Sequence, residues 1–484
     1  MPRRRIRVTD DPLRAAFAAL RTELGVPSDF SPEVLSEAER PPRPGAHVDA
    51  TGIPLFTIDP PASIDLDQAM HLSRRGTGYR LRYAIADVAA FVAPGGSLDA
   101  ETHRRVMTLY FPDSRVPLHP PVLSEGAASL LPDQVRPAAL WTIDLDAEGR
   151  TTAAEVHRAL VRSRAKLNYE GVQKAIDTGT AEEPLLLLKE IGELREALEA
   201  ERGGISLRVP EQEIVERDGG YELTYRAGVA ADAWNAQISL LTGMAAADLM
   251  LAYGTGVLRT LPAAPDGAVG RLRRTAEALH IDWPHHVSYA ALIRSLDPGV
   301  PSHAAFLQEC TTLLRGAGYT VFRDGVLPAI TTHAAVAAPY AHCTAPLRRL
   351  VDRYASEICL AAVAGTAVPE WVLAAFDALP REMSEGGRRV ASVERACVDL
   401  VEAAVLKDRV GEVFDGCVVD VDEHRPGVGT VQLESPAVIG RIDGDGLALG
   451  ERVRVRVMQS DPGPGSGSGS GASPGGAKVR FAPA

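Results

Sequence analysis

Three aspartates, Asp59, Asp65 and Asp67, lie within nine residues of one predicted turn. An apolar strand pattern ends directly before Asp59, and the two prolines that follow prevent further strand pairing. A structured turn brings these like charges close together, which costs free energy unless a cation neutralises them. Carboxylate oxygens are ligands that Mg²⁺ and Mn²⁺ prefer. The spacing indicates a divalent-metal site, and the alternative is a solvated acidic loop.

A fourth carboxylate, that of Asp87, follows a segment in which apolar side chains occupy every second position from Tyr79 to Ile85. The alternation places Asp87 on the apolar face, where a carboxylate needs a partner. A neighbouring metal site or a buried arginine would supply one. Both direct ligation and a purely structural role stay open at this point.

The elements that must position these acids are short strands followed by long helices. Strand patterns cover 55–58, 79–87, 141–146 and 156–161. Helix patterns cover 11–24, 184–202, 233–252, 346–363 and 392–410. Short strands return over 413–421, 429–433, 437–442 and 452–458, with a closing strand at 478–481. This ending fits a small barrel, and its Gly/Ser-rich stretch predicts a flexible loop over 460–477.

Composition narrows the class of protein. The net charge of −12 argues against nucleic-acid binding through the overall field, so any RNA must meet a local basic channel. Five widely spaced cysteines without a C-x-x-C pair predict reduced, buried thiols and neither disulfides nor a zinc site. No secretory signal and no apolar run of membrane-spanning length are evident. We therefore expect a cytoplasmic protein without a membrane partner.

Several separated motifs, in the right order, resemble the ribonuclease II / ribonuclease R (RNB-domain) family of 3′–5′ exoribonucleases. They lie at 57–68, 83–89, 109–112, 116–126 and 340–352, and the likeness covers roughly residues 47–410. The resemblance implies an α+β fold, an RNB catalytic domain of antiparallel sheets packed with helices plus a small C-terminal β-barrel of OB type. The implied domains are a helical arm (1–46), the catalytic domain (47–410) and a reduced RNA-binding barrel (411–484). A shortened form without N-terminal cold-shock domains is expected.

The same resemblance implies site residues. Asp59, Asp65 and Asp67 would hold the metal, and Asp67 is the best single candidate for an essential residue. The family has a further aspartate where this chain has Gln68, whose amide oxygen can ligate Mg²⁺ but brings no charge. Asp65, Asp67 and Arg348 would be catalytic, with Arg348 directed at the scissile phosphate. Contacts to RNA would come from Tyr110, Leu207, Tyr340, Arg348 and Glu394.

Two of these assignments have competing interpretations. The helical spacing of Arg348 and Asp352 would by itself predict a salt bridge between them. Leu207 stands where the family has a phenylalanine that stacks with the equivalent of Tyr110, and a leucine cannot stack in that way.

The implied function is hydrolysis of single-stranded RNA from the 3′ end to 5′-nucleotides, with Mg²⁺ or Mn²⁺ as cofactor, by a monomer. One alternative is a metal-dependent phosphatase, which would need neither an aromatic clamp nor a distant arginine. The other is an RNA-binding protein whose cleavage is weak or lost because of Gln68. Activity on a small phosphomonoester, or RNA binding without shortening, would separate these alternatives.

Overall fold

The structure is a computed structural model. It describes residues 11–27, 29–43, 45–207, 211–217, 220–226, 228–297, 300–314, 316–422, 424–425, 427–433, 435–461 and 479–484. Beyond Asp461, the loop predicted over 460–477 lies outside the described residues. All five cysteines are buried, as the sequence predicts.

The strands, in chain order, are β1 (Val48–Asp49), β2 (Leu55–Ile58), β3 (Gln68–Arg75), β4 (Gly78–Ala86), β5 (Leu109–Tyr110), β6 (Arg115–Val116), β7 (Val135–Leu145), β8 (Thr151–Leu167), β9 (Glu211–Arg217), β10 (Gly220–Arg226), β11 (Gly256–Thr260), β12 (Gly318–Phe322), β13 (Thr332–His333), β14 (Ala338–Pro339), β15 (Val413–Val421), β16 (Val428–Leu433), β17 (Ile439–Asp443), β18 (Arg452–Ser460) and β19 (Val479–Pro483). The helices are α1 (Asp11–Glu23), α2 (Pro32–Ala38), α3 (Ser97–Arg105), α4 (Tyr169–Asp177), α5 (Glu183–Glu201), α6 (Ala230–Tyr253), α7 (Asp266–Ala278), α8 (Tyr289–Ser295), α9 (Pro301–Cys310), α10 (Leu350–Ala364), α11 (Glu370–Ala374) and α12 (Leu379–Leu406).

A mixed sheet in the order β1-β8-β2-β3-β4-β7 forms the centre of the fold. The long strand β8 pairs antiparallel with β7 over most of its length and then parallel with β2 at its end. Strands β2, β3, β4 and β7 are joined antiparallel in sequence order around the sheet. Nine consecutive residues of β7 are buried, because both faces of the sheet are covered.

Helices cover one face of the sheet, and α6 lies at the centre of this layer against α5 and α10. By length and composition alone, α6 is long and apolar enough to cross a membrane. The sequence analysis found no apolar run of this length. Half of its most apolar stretch is buried inside the protein, and its Ile238, Leu241 and Met250 belong to the main hydrophobic core. The apolar composition of α6 is therefore accounted for by packing in this core.

The other face of the sheet packs against α2 and α3. The apolar side chains between these helices and the sheet form a second cluster, which includes Leu55. The neighbouring Phe56 belongs to the main core. Adjacent side chains of a strand point to opposite faces, so the continuous apolar run of β2 serves both layers. This burial fixes the direction in which the chain leaves β2 at Asp59.

The C-terminal strands form a closed barrel in the order β15-β16-β17-β19-β18. The predicted OB-type barrel and the α+β class are thereby confirmed. A third apolar cluster joins the barrel to α12, α1 and the β5–β6 hairpin. The barrel is thus packed onto the rest of the protein through helices and not only linked to it by the chain.

Two helix boundaries differ from the sequence prediction. Helix α10 begins at Leu350 and not at Pro346, and Arg349 before it has an extended backbone. Helix α12 begins at Leu379, thirteen residues before the predicted start at Ser392. Its Gly386 weakens the helical pattern in the sequence, but Gly386 is buried against Val106 and needs its lack of a side chain.

Two adjacent glycines of α12 make this packing testable. A Cβ at Gly386 would lie 2.6 Å from Val106 Cγ1, and Val106 has a positive φ of 67°, which leaves it little freedom to move. We expect Gly386→Ala to lower the unfolding free energy by about 1–3 kcal/mol through overpacking. The control Gly387→Ala meets open space and should raise stability by up to about 1 kcal/mol. Urea denaturation measures both, and equal effects of the two variants would contradict the packing.

Candidate active site

The acidic turn after β2 is held by contacts on both sides. The Lys166 ammonium donates to the Pro61 and Ser63 carbonyls. The Ser129 hydroxyl donates to the Ile64 carbonyl at 2.7 Å and accepts from the Leu66 N–H at 2.9 Å. The turn is therefore held in a defined conformation by Lys166 on one side and Ser129 on the other.

A second loop, 344–349, leads into α10 and carries Arg348. The fully buried Asp352 accepts from the Ala345 N–H at 2.7 Å and binds the Arg349 guanidinium through both oxygens at 2.6 and 2.7 Å. The buried His119 imidazole bonds the Leu347 carbonyl through Nδ1 at 3.0 Å. Burial lowers the pKa of His119 to about 4, so the ring is neutral at ordinary pH.

The two segments meet at Asp67. Its Oδ1 accepts from the Leu347 N–H at 2.7 Å, and its Oδ2 lies 3.3 Å from Arg348 Nε. The neighbouring Gln68 amide donates through Nε2 to the Thr344 carbonyl. Arg348 therefore faces Asp67, while Arg349 is the partner of Asp352. The salt bridge that helical spacing suggested between Arg348 and Asp352 does not form, because α10 begins only at Leu350.

The β5–β6 hairpin brings two further side chains to the acidic turn. Tyr110 is 48% exposed, and its hydroxyl donates to Asp65 Oδ2 at 3.5 Å. Arg115, paired with Tyr110 across the hairpin, binds Asp65 Oδ1 at 2.8 Å and Glu125 Oε1 at 2.8 Å. Asp65 is thus held by the hairpin, and Asp67 by the loop before α10.

These elements enclose one cavity of about 990 Å³. Its lining includes seven of the residues that the sequence analysis named: Asp59, Asp65, Asp67, Gln68, Tyr110, Tyr340 and Arg348. Gly243 on α6 makes room for one of them, because a Cβ there would lie 2.3 Å from the Tyr340 ring. A cavity of this size, with polar groups converging on one wall, is typical of a ligand site.

Two of the carboxylates in the cavity, those of Asp59 and Asp67, have raised pKa values. Burial raises the pKa of Asp67 to about 7, against the opposing effects of Arg348 and the Leu347 N–H. Burial raises the pKa of Asp59 to about 6, with Arg348 opposing and Asp65 adding to the shift. Asp59 Oδ2 is buried, and no described residue donates a hydrogen bond to it. A buried carboxylate oxygen without a donor needs a proton or a cation.

The carboxylates of Asp59, Asp65 and Asp67 can hold a metal ion only if enough of them can approach one common point. In the part of the chain that the structure describes, no three His, Cys, Asp or Glu side chains already surround a common point. Asp65 is paired with Arg115, and Asp67 lies beside Arg348. The acids nevertheless line one cavity, and the unpartnered Asp59 Oδ2 fits a hard cation. These three aspartates fit a divalent cation on one condition. Asp65 must release Arg115 so that its carboxylate can bind the ion.

Two of the named RNA-binding residues are not part of this cavity. Leu207 is half-buried and packs beside the cluster formed by α7, α8 and α9. Glu394 is an exposed residue of α12. Asp87 is also separate, because its Oδ2 binds Arg158 Nε at 2.9 Å and lies 3.3 Å from His47 Nε2. Of the two partners considered for Asp87, the structure provides the arginine.

Several lining residues were missed by the sequence analysis: Arg115, Tyr169, Asp232, Asn235 and Ser239. The Tyr169 hydroxyl accepts from Asn235 Nδ2 at 3.2 Å, which joins the start of α4 to α6. Asn235 could have been predicted as a site residue, because a polar side chain on a largely apolar helix needs a hydrogen-bond partner. Arg115 carries no such signal, because its partner Asp65 is fifty residues away in the sequence.

The fold and the cavity define an α+β domain with a carboxylate-lined site, followed by a closed barrel. Residues 47–364 match the RNB domain, and residues 412–466 match the RNase II-type exonuclease C-terminal S1 domain. The chain belongs to the RNB-domain family, so the resemblance in the sequence is confirmed.

Individual relatives agree with this membership. Ribonuclease R of Escherichia coli (strain K12) is 28% identical over 404 residues, which cover 77% of this chain and 48% of the relative. Ribonuclease R of Acidithiobacillus ferrooxidans is 35% identical over 164 residues, which cover 33% of this chain and 37% of that protein. The chain spans about half the length of the curated relatives it matches.

Solved structures share the fold. Mycoplasma genitalium RNase R in complex with ribose methylated single-stranded RNA matches with a TM-score of 0.82 at 20% identity, covering 94% of this chain and 77% of that chain. Yeast Ssd1, a pseudonuclease, matches with a TM-score of 0.67 at 16% identity, covering 87% of this chain and 54% of that chain. At these identities the likeness shows the fold alone.

The anchor of the Arg348 loop yields a stability prediction. Asp352→Asn would leave the largely buried Arg349 without its counter-charge, and we expect it to lower the unfolding free energy by about 3–5 kcal/mol. The control Asp422→Asn alters an exposed pair with Arg425 and should change stability little. Urea denaturation compares the two, and a nearly neutral Asp352→Asn variant would contradict the anchoring role.

Proposed function

We propose that the protein is a metal-dependent 3′–5′ exoribonuclease that hydrolyses single-stranded RNA to 5′-nucleotides. The observation that carries the proposal is one cavity in which Asp59, Asp65 and Asp67 face an aromatic ring, Tyr110, and a guanidinium, Arg348. Membership of the RNB-domain family and the S1-type barrel support the choice of RNA as the substrate. A phosphatase would not require an aromatic side chain at the edge of the cavity.

The cation of the proposal is Mg²⁺, with Mn²⁺ as the substitute, and Asp59, Asp65 and Asp67 would hold it. When bound, such an ion polarises a phosphate oxygen and lowers the pKa of a water molecule to make it a nucleophile. Asp59 supplies the buried oxygen without a donor, and Asp67 is oriented by the Leu347 N–H. Gln68 contributes no charge, and its amide nitrogen is directed at Thr344.

Arg348 is suited to bind the reacting phosphate. Its side chain is 51% exposed and lines the cavity, with Nε 3.3 Å from Asp67 Oδ2, so the guanidinium is accessible to a ligand. Its backbone is fixed, because the Thr108 N–H bonds the Arg348 carbonyl at 3.1 Å and Leu347 is bound on both sides. A pre-positioned guanidinium stabilises negative charge that grows on phosphate oxygens in the transition state.

Tyr110 is suited to hold the base of the 3′-terminal nucleotide. Nearly half of its surface is accessible at the cavity, and its phenol points toward Asp65. Stacking on an aromatic ring contributes about 1–3 kcal/mol per base and tolerates any sequence. This arrangement supports removal of nucleotides from an end without regard to sequence. The monomeric state and the cytoplasmic location stay predictions from the sequence.

The direct test uses a 5′-labelled single-stranded RNA with Mg²⁺, with EDTA, and with the Asp67→Asn variant. We expect a ladder that shortens from the 3′ end only when the metal is present. Asp67→Asn should reduce the rate at least about a hundredfold, the effect typical of removing one preorganised group of an active site. Asp177→Asn, at the exposed end of α4 and outside the lining of the cavity, is the matched control and should keep the wild-type rate.

Equal rates for wild type and Asp67→Asn, or shortening that persists in EDTA, would contradict the proposal. Hydrolysis of a small phosphomonoester with no action on RNA would favour the phosphatase instead. Equal digestion of the matching DNA would remove the assignment to RNA.

A second candidate is an RNA-binding protein with weak or lost cleavage. It is favoured by the loss of one family carboxylate and by the ion pair that engages another. Gln68 replaces a family carboxylate and bonds Thr344, and Asp65 is paired with Arg115. Retention of RNA on a native gel without shortening would support this candidate. Recovery of shortening in Gln68→Asp would then identify the missing charge as the cause.

A further inference from the structure

We propose that the N-terminal helix α1 positions the aromatic clamp of the cavity, and that the Arg21–Asp113 ion pair is the contact through which it does so. The inference rests on the proposed function, because it assigns Tyr110 to holding the RNA end. It adds a positioning element that lies outside the residues matched by the RNB domain and by the S1 domain.

The side chains that flank Tyr110 are buried in an apolar cluster, and Phe111 also contributes to the lining of the cavity. Leu109 is 3% exposed and Phe111 is 7% exposed, whereas Tyr110 between them is 48% exposed. Neighbouring residues of an extended chain point to opposite sides. The depth at which Leu109 and Phe111 are buried therefore sets how far the Tyr110 ring projects over the acidic turn.

Helix α1 supplies part of the cluster that receives these two side chains. Leu13, Phe17 and Leu20 recur on one face of α1, and all three are buried in the same cluster as Leu109 and Phe111. The opposite wall of the cluster comes from α12 and the barrel. Removing or shifting α1 would leave the inner side of the hairpin without its support.

Arg21, near the end of α1, connects the helix to the tip of the hairpin. Its two terminal nitrogens donate to the two oxygens of Asp113 at 2.9 and 2.7 Å, and Nη1 also donates to Ser114 Oγ at 3.2 Å. Its guanidinium carbon lies 4.9 Å from the centre of the Phe111 ring. A bidentate Arg–carboxylate pair fixes the relative orientation of the two side chains as well as their distance.

The pair is also partly shielded from water, since the Arg21 side chain is 26% exposed and that of Asp113 only 12%. Asp113 and Ser114 connect β5 to β6, so they lie between Tyr110 on one strand and Arg115 on the other. Arg115 in turn binds Asp65 at 2.8 Å. The Arg115–Asp65 pair therefore holds the β6 side of the hairpin, and a displacement at Asp113 would shift Tyr110 on the β5 side.

The test measures binding of a single-stranded oligoadenylate in EDTA, by anisotropy, to wild type, Arg21→Ala, Tyr110→Ala and the double variant. We expect Tyr110→Ala to weaken binding about fivefold to a hundredfold. Arg21→Ala should weaken it about two- to tenfold, and the double variant should bind no more weakly than Tyr110→Ala alone, because the two changes act through one ring.

Three further variants separate positioning from a general loss of structure. Asp113→Asn should weaken binding as Arg21→Ala does, and Arg21→Lys should restore part of it, since one oxygen can still be paired. The control Arg150→Ala removes a surface pair with Glu201 and should bind RNA as wild type does. In Mg²⁺, Arg21→Ala should raise KM and leave kcat unchanged, as expected for lost binding of the terminal base.

Wild-type affinity for Arg21→Ala, or losses that multiply in the double variant, would overturn the inference. Wild-type protein that binds RNA without shortening it would overturn the proposed function, while the ratios of affinities in EDTA would still test the role of α1. The two failures are therefore distinguishable in one set of measurements.

Discussion

The hydrogen bond from the Leu347 N–H to Asp67 Oδ1, 2.7 Å long, joins two segments that lie 280 residues apart in the sequence. Asp67 is almost fully buried, so its carboxylate cannot rely on water for solvation. Leu347 and Arg348 supply that solvation, and both belong to a loop which Asp352 anchors from behind. Burial of one carboxylate therefore dictates where the guanidinium of the site must lie.

The rest of the fold positions the segments that meet at Asp67. The central sheet positions the acidic turn at the end of β2, and α6 and the loop before α10 form the opposite wall of the cavity. The hairpin of Tyr110 closes a third side, and its back is packed on α1, α12 and the barrel. One apolar cluster thus connects the barrel to the hairpin that carries Tyr110.

Much of this could be predicted from local patterns. The helix α1, strands β2 and β4 and the C-terminal strands follow from periodicity, and the three aspartates follow from their spacing after a strand. Contacts between distant residues were not predictable. Arg115 reaches Asp65, and Arg349 takes Asp352 in place of Arg348, through tertiary geometry alone. Leu207 and Glu394 were assigned by position in a family pattern, and the structure places neither at the cavity.

The central claim is that the carboxylates of Asp59, Asp65 and Asp67 share a divalent cation. A crystal structure of the protein grown with Mn²⁺, with anomalous scattering data, tests it most directly. We predict an anomalous peak among these three side chains, with Arg115 released from Asp65 and still bound to Glu125. A well-ordered site without a peak, and with Arg115 still paired with Asp65, would contradict the claim.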